Sequence, residues 1–232
     1  FSIFGAPLAF GELRLDAVLM PLAIAAMFAG SFVAIFQDDI KRMLAYSSVA
    51  QIGYMVLGLS LASVSGLTGG LVHLFNHAIM KCGLFLVMAA VFLRTGSVRL
   101  EAMAGLGRKM PLTMAAMVLG GLSLIGVPPT CGFFSKWYLI SGGIEAGHYG
   151  FVMALIVSSL VNVVLFFRCF EIGYFESFVP GREPHSAPVE SGYDGPTVQE
   201  APVEMLFALV TTALLLTVTP PPCISILLPL LS

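Results

Sequence analysis

The residues of this 232-residue chain best suited to chemistry are two lysines and two histidines embedded in apolar runs. His73, His77 and Lys81 recur at i, i+4 and i+8 within residues 67–93, a stretch with no other charged side chain. On a helix turning 100° per residue these positions form one narrow stripe about 12 Å long. A charged group near a bilayer centre costs several kcal/mol, with estimates from about 2.5 to above 10. Lys81 lies about 14 residues into its run, so it sits about 21 Å deep, beyond the reach of a snorkelling side chain. It must face protein or water. Desolvation disfavours a charged amine, so a buried lysine approaches neutrality and can take up and release a proton. Imidazole titrates near 6.5 and passes protons between its two nitrogens. One histidine on an apolar helix is as readily an interhelical hydrogen bond. Three titratable groups on one stripe bring no packing benefit and read as a proton relay. A metal site would need a third ligand and would have a cation as its neighbour. A bis-histidine haem needs imidazoles on opposite sides of the ring, and these two share a face.

A second constellation surrounds Gly126-Val127-Pro128-Pro129. Proline lacks an N–H and its ring clashes with the preceding turn, so the helix is expected to break here and leave carbonyls near Gly126 unpaired. Such groups persist in a membrane only against protein or water. Gly132-Phe133-Phe134-Ser135-Lys136 restarts the helix and sets Lys136 one to two turns beyond the break, a half-helix terminus beside an ionisable group as in transporters. The plainer reading is a proline kink with a salt-bridged lysine. Lys41, beside Asp38 and Asp39, is explained equally by a surplus of cytoplasmic positive charge or by a proton exit. Ser47 and Ser48 are expected to bond backbone carbonyls or neighbouring helices. Glu12, Asp16 and Glu145 read as interfacial charges, and Trp137, Tyr138 and Tyr149 as an aromatic belt.

The elements that must position these groups follow from composition. The chain is 58% hydrophobic and 10% charged, with mean hydropathy +0.96. A soluble domain carries about a quarter charged residues, so this is a membrane protein. A net charge of -2 without a basic face or a Gly-rich phosphate loop argues against nucleic-acid and nucleotide chemistry. Cys82, Cys131, Cys169 and Cys223 are isolated and read as packing residues, with no cofactor or metal implied. Apolar runs mark about six spans: 17–37, 43–62, 67–93, a broken fourth at 111–141, 150–168, and a shorter sixth at 204–219. Residues 171–203, rich in Glu, Pro, Gly and Ser, read as a solvated acidic loop, and a Pro-rich tail starts at Pro220. Lys and Arg follow spans one, three and five and are missing after two and four, so the odd spans should run from outside to inside. The chain starts at Phe1 without a signal-peptide pattern, and a fragment is expected.

These blocks resemble a known family. Asp38-Asp39-Ile40-Lys41-Arg42-Met43-Leu44-Ala45-Tyr46-Ser47-Ser48, then Gln51-Ile52-Gly53-Tyr54, His73-Leu74-Phe75-Asn76-His77-Ala78 with Lys81, and the Gly126 to Lys136 block are similar to proton-translocating antiporter-like subunits. That family includes the large membrane subunits of respiratory complex I, membrane-bound hydrogenases and multi-subunit sodium/proton antiporters. Phe134-Ser135-Lys136-Trp137-Tyr138-Leu139 resembles the D-type proteins of those antiporters. The resemblance implies an all-α polytopic bundle. It implies a five-helix second inverted repeat over residues 1–170, the loop at 171–203, and a terminal helix and tail at 204–232. By the same resemblance, Lys81 matches the central lysine of the hydrophilic axis, His73 and His77 line it, Lys136 matches the broken-helix lysine, and Lys41 the lysine of the Lys-Arg-x-Leu-Ala-Tyr-Ser block.

The function expected is proton conduction within a multi-subunit cation/proton antiporter or a redox-driven pump of NADH dehydrogenase type. Its partners would be other membrane subunits, the bilayer, protons and sodium, with no nucleic acid, in a bacterial or archaeal cell membrane. No redox centre is evident in the sequence. The rival is a non-conducting scaffold subunit. A third reading, an ammonium conduit through paired histidines, leaves Lys81 unexplained, because a fixed cation repels that substrate.

Overall fold

A computed structural model describes residues 7–176 and 199–218. Residues 1–6, most of the expected acidic loop, and the Pro-rich tail with Cys223 lie outside the described residues. Among the described residues the secondary structure is helical: α1 Leu15–Ile35, α2 Ile40–Ser60, α3 Val64–Thr95, a single turn α4 Leu106–Lys109, α5 Pro111–Ile125, α6 Cys131–Glu145, α7 Tyr149–Phe175 and α8 Val203–Val218.

Local chemistry sets these boundaries. Asp39 caps α2, its carboxylate accepting from the Lys41 and Arg42 amides at 2.8 and 3.1 Å. Ser63 accepts from the Gly66 amide to open α3, and Gly96, at φ 68°, closes it with a left-handed turn. Pro111 stands in the first turn of α5, where its missing N–H costs nothing. Helices α1, α2, α3 and α7 are each long and apolar enough to cross a bilayer. The expected fourth span is two half-helices of 15 residues each, α5 and α6. The sixth, α8, has 16 residues. α7 continues to Phe175, into the stretch read as loop.

α1 and α2 pack so closely that their glycines act as contact points. A Cβ on Gly30 would lie 2.7 Å from the Ala50 nitrogen, and one on Gly53 would lie 2.9 Å from the Ala23 carbonyl. One apolar cluster unites α2, α3, α5, α7 and α8 around Leu44, Leu84, Met88, Met114, Phe166 and Leu209. A second joins α1, α2, α6 and α7 around Met27, Tyr54, Leu57, Leu139 and Phe151. Large apolar side chains such as Leu22, Phe32, Leu160 and Phe167 point outward, as lipid solvent permits.

The linkers after α1 and α3 meet the end of α7 at one pole. The Ile40 amide donates to the Val98 carbonyl, the Leu100 amide to the Asp38 carbonyl, and the Gly105 amide to the Ile172 carbonyl. Arg168 reaches both the Ile35 carbonyl and the Asp38 carboxylate. The segments carrying most of the Lys and Arg thus share one end of the bundle, as their alternation along the chain requires.

α8 is fastened through Glu200. Its carboxylate accepts from the Leu112 and Thr113 amides at 3.0 and 3.4 Å and from the Thr113 hydroxyl at 2.5 Å, at the start of α5. Its carbonyl accepts from Arg94 Nη2 at 2.6 Å, at the end of α3. Glu200→Ala should therefore weaken the docking of α8 by about 1–2 kcal/mol. Thermal unfolding in detergent checks this: a lowered midpoint is expected, and an unchanged one would deny the latch.

Candidate functional site

α3 presents His73, His77 and Lys81 inward along one stripe, with 0%, 9% and 7% exposure. The rings of His73 and His77 stand 6.3 Å apart and nearly parallel, at 21°. Lys81 reaches α2, where its Nζ donates to the Leu44 carbonyl at 2.5 Å and the Ser47 hydroxyl at 2.6 Å. Ser47 and Ser48 also donate to the Leu44 carbonyl, so one peptide oxygen gathers three donors. Both serines thus bond the backbone as expected, and Ser47 additionally receives the lysine.

The break between α5 and α6 positions the second amine. Gly126 turns the chain at φ 92°, a conformation that only glycine adopts at little cost. Lys136, 5% exposed, folds back from α6 and donates to the carbonyls of Leu124 at 2.9 Å and Ile125 at 2.8 Å, and to the Ser159 hydroxyl of α7 at 3.1 Å. The carbonyls at the break face protein: the returning lysine closes the last turn of α5. The plain-kink reading, with a salt-bridged lysine at a lipid-facing end, is corrected here. Lys136 points inward, and its amine is held by two carbonyls and a hydroxyl. The two half-helices meet backbone to backbone, since a Cβ on Gly132 would overlap the Ser123 carbonyl oxygen.

The two amines are joined across the bundle by groups that sequence reasoning left out. Tyr54 of α2 presents its ring 5.0 Å from Lys136 Nζ and stands edge-on to His73 at 5.6 Å. Its hydroxyl is held by Ser158 at 2.8 Å and by the Asn162 amide at 3.2 Å, both on α7. His73 bridges Gln51 of α2 and Ser135 of α6, at 2.9 and 2.8 Å. Asn76 donates to the Cys131 carbonyl at 2.8 Å, tying α3 to the start of α6. The overlooked residues did carry a signal: Gln51 and Tyr54 continue from Ser47 at i+4 and i+7 on α2, and Ser158 and Asn162 stand at i and i+4 on α7, polar stripes on apolar helices.

The structure therefore brings together Lys81, His77, His73 and Lys136, with Gly126, Pro128 and Pro129 at the break. It does not bring in Lys41. That side chain is exposed at the pole of α2, its Nζ over the Phe92 ring at 5.0 Å. Among the described residues no cluster of three or more His, Cys, Asp or Glu could hold a metal. A cavity of about 220 Å³ opens beside Lys136 between α6 and α7, lined by Gly126, Phe133, Trp137, Leu155, Ser159 and Leu160.

The described helices thus hold a buried row of amines and imidazoles beside a broken helix, in a bundle built to sit in a membrane. The family model described as NADH:quinone oxidoreductase/Mrp antiporter, TM, matches residues 4–162, and the chain belongs to that family. It is 49% identical over 175 residues to the NADH-quinone oxidoreductase subunit N of Desulforudis audaxviator, covering 75% of this chain and 35% of that protein. It is 36% identical over 163 residues to the F(420)H(2) dehydrogenase subunit N of Methanosarcina mazei, covering 66% and 33% respectively. The chain thus spans about a third of the length of these curated relatives. Among solved structures, the Mrp complex from Dietzia matches with TM-score 0.81 at 24% identity, over 95% of this chain and 47% of that one. An archaeal membrane-bound sulfane sulfur reductase matches with TM-score 0.78 at 29% identity, over 93% and 41%. The all-α membrane bundle read from the sequence is what these folds share.

Two substitutions probe the break. Lys136→Met should orphan two buried carbonyls and cost about 2–4 kcal/mol, read as a lowered unfolding midpoint. Gly132→Ala should be worse, because backbone must move; a midpoint within a degree of the native one would contradict the packing described.

Proposed function

We propose that the chain is part of a membrane subunit that moves protons between Lys81 and Lys136 by way of His77, His73 and the polar groups of α2 and α7. The observation that carries this reading is the burial of two amines in a bundle where, among the described residues, neither meets a carboxylate. Each is held by carbonyl and hydroxyl oxygens, which accept hydrogen bonds from an amine in either charge state. A group so placed can lose its proton without stranding an unpaired carboxylate, which is what a carrier needs and a structural ion pair lacks. Steps of 5.0, 5.6 and 6.3 Å separate Lys136, Tyr54, His73 and His77, and Lys81 lies one helical turn further on. Gln51 Nε2, Asn76 Oδ1 and His77 Nδ1 are buried atoms without a protein partner, places where water would bind.

The host complex we favour is a redox-driven pump, because relatives at 49% and 36% identity are named as oxidoreductase and dehydrogenase subunits. Its partners would be the other membrane subunits of such a complex in a prokaryotic cell membrane. In an Mrp-like host the same path would serve exchange of protons for sodium. Moving one charge against 100 mV costs about 2.3 kcal/mol, so alternation of lysine charge must absorb or supply that work. The second reading is a scaffold that only packs, and it requires Lys81 to be replaceable.

In inverted vesicles containing the host complex, Lys81→Ala should abolish proton flux while the complex still assembles. Lys81→Arg should fail equally, because a guanidinium does not give up its proton. Native flux in either variant would favour the scaffold.

A further inference from the structure

His73 is gripped on both ring nitrogens, and the two grips differ in kind. Nε2 lies 2.9 Å from Gln51 Oε1, and an amide oxygen only accepts, so Nε2 carries a hydrogen in either charge state of the ring. Nδ1 lies 2.8 Å from Ser135 Oγ, which in turn lies 3.0 Å from the Gly132 carbonyl oxygen. A hydroxyl has one hydrogen and can both give and receive. When the ring is neutral, Nδ1 is bare and Ser135 donates to it. When a proton is added at Nδ1, that N–H donates to Ser135 Oγ, and the serine hydrogen must turn to the Gly132 carbonyl. Every donor has an acceptor in both arrangements, and no bond between heavy atoms changes.

We infer that Ser135 is a two-position hydroxyl switch that positions His73 for proton transfer and reports its charge to the first turn of α6. The Gly132 carbonyl is the one that helical i to i−4 pairing gives to the Lys136 amide, so protonation of His73 on α3 is felt at the peptide of the broken-helix lysine. The other titratable groups facing His73 are His77 on its own helix, Tyr54 from α2 and Lys136 from α6. None of these can stand in for the serine. The Tyr54 hydroxyl is engaged by Ser158 and Asn162, Lys136 by two carbonyls and Ser159, and His77 contacts His73 by ring stacking. The path described under Proposed function gives the switch its purpose, yet the switch is testable without any transport measurement.

The test uses the full chain in lipid bilayers, with ¹³C in glycine carbonyls and ¹⁵N in histidine rings and in phenylalanine. This labelling marks the two Gly-Phe bonds, Gly132-Phe133 and Gly150-Phe151. Solid-state NMR across a pH series should show the Gly132 carbonyl resonance moving in step with protonation of His73 Nδ1, while Gly150, far along the chain, stays still. In Ser135→Ala the His73 signals should change with pH without moving Gly132, and Ser135→Thr should restore the paired movement. A Gly132 carbonyl indifferent to His73 in the native chain overturns the switch, as does equal movement in Ser135→Ala or a His73 that never takes a proton. In vesicles, Ser135→Ala should lower flux about tenfold and Ser135→Thr should hold it within about twofold, a fall of one power of ten corresponding to about 1.4 kcal/mol of lost coupling. Paired NMR movement in a chain that supports no flux would keep the switch and remove the transport reading, so the two fail separately.

Discussion

A buried amine without a carboxylate partner is the constraint from which the rest of this bundle follows. Isolating an ammonium in a low-dielectric interior costs several kcal/mol even after relaxation, and pairing it with a carboxylate would fix its charge. Lys81 and Lys136 take neither course. They are wrapped by peptide carbonyls and serine hydroxyls, whose dipoles stabilise the charged form but do not depend on it. Acceptors for a buried amine come either from a helical carbonyl shared with serine hydroxyls, as at Leu44, or from the carbonyls where a helix stops, as at Leu124 and Ile125.

Packing obeys the same requirement. A carbonyl within reach of a lysine from another helix demands close helix approach, and small residues allow it. Gly132 lets the two halves of the broken helix touch at Ser123, and Gly58, Gly66, Gly69 and Gly142 bring α2, α3 and α6 together where Leu139 packs. On that side the polar core is closed by backbone-to-backbone contacts, while large apolar side chains of α1 and α7 face outward. Glu200 works at the pole, where carboxylate and carbonyl of one residue bind the start of α5 and the end of α3 and so seat α8.

Much of this was legible in the sequence where spacing along one helix carried the information. The stripe of His73, His77 and Lys81 and the break at Gly126 to Pro129 depend only on helical period and on proline chemistry, and both stand where expected. The groups that answer them come from other helices. No spacing within α3 reveals that Gln51 and Ser135 will grip His73, or that Lys136 will turn back to close α5, because those are consequences of interhelical register. Lys41 shows the limit of a patterned block: its amine rests exposed over an aromatic ring at the pole, where a surplus of positive charge or a proton exit would equally place it. Glu200 escaped notice because its neighbours are rich in Pro, Gly and Ser, and a composition average conceals one well-placed carboxylate.

If protons pass between Lys81 and Lys136, a hydrated polar thread must join the two amines inside the apolar slab. High-resolution electron cryo-microscopy of the membrane complex that holds this chain tests it most directly. Ordered water is expected on Gln51 Nε2, Asn76 Oδ1 and His77 Nδ1, continuous between the two lysine amines. Dry side chains at those three atoms, with lipid or close packing filling the space between the amines, would contradict it.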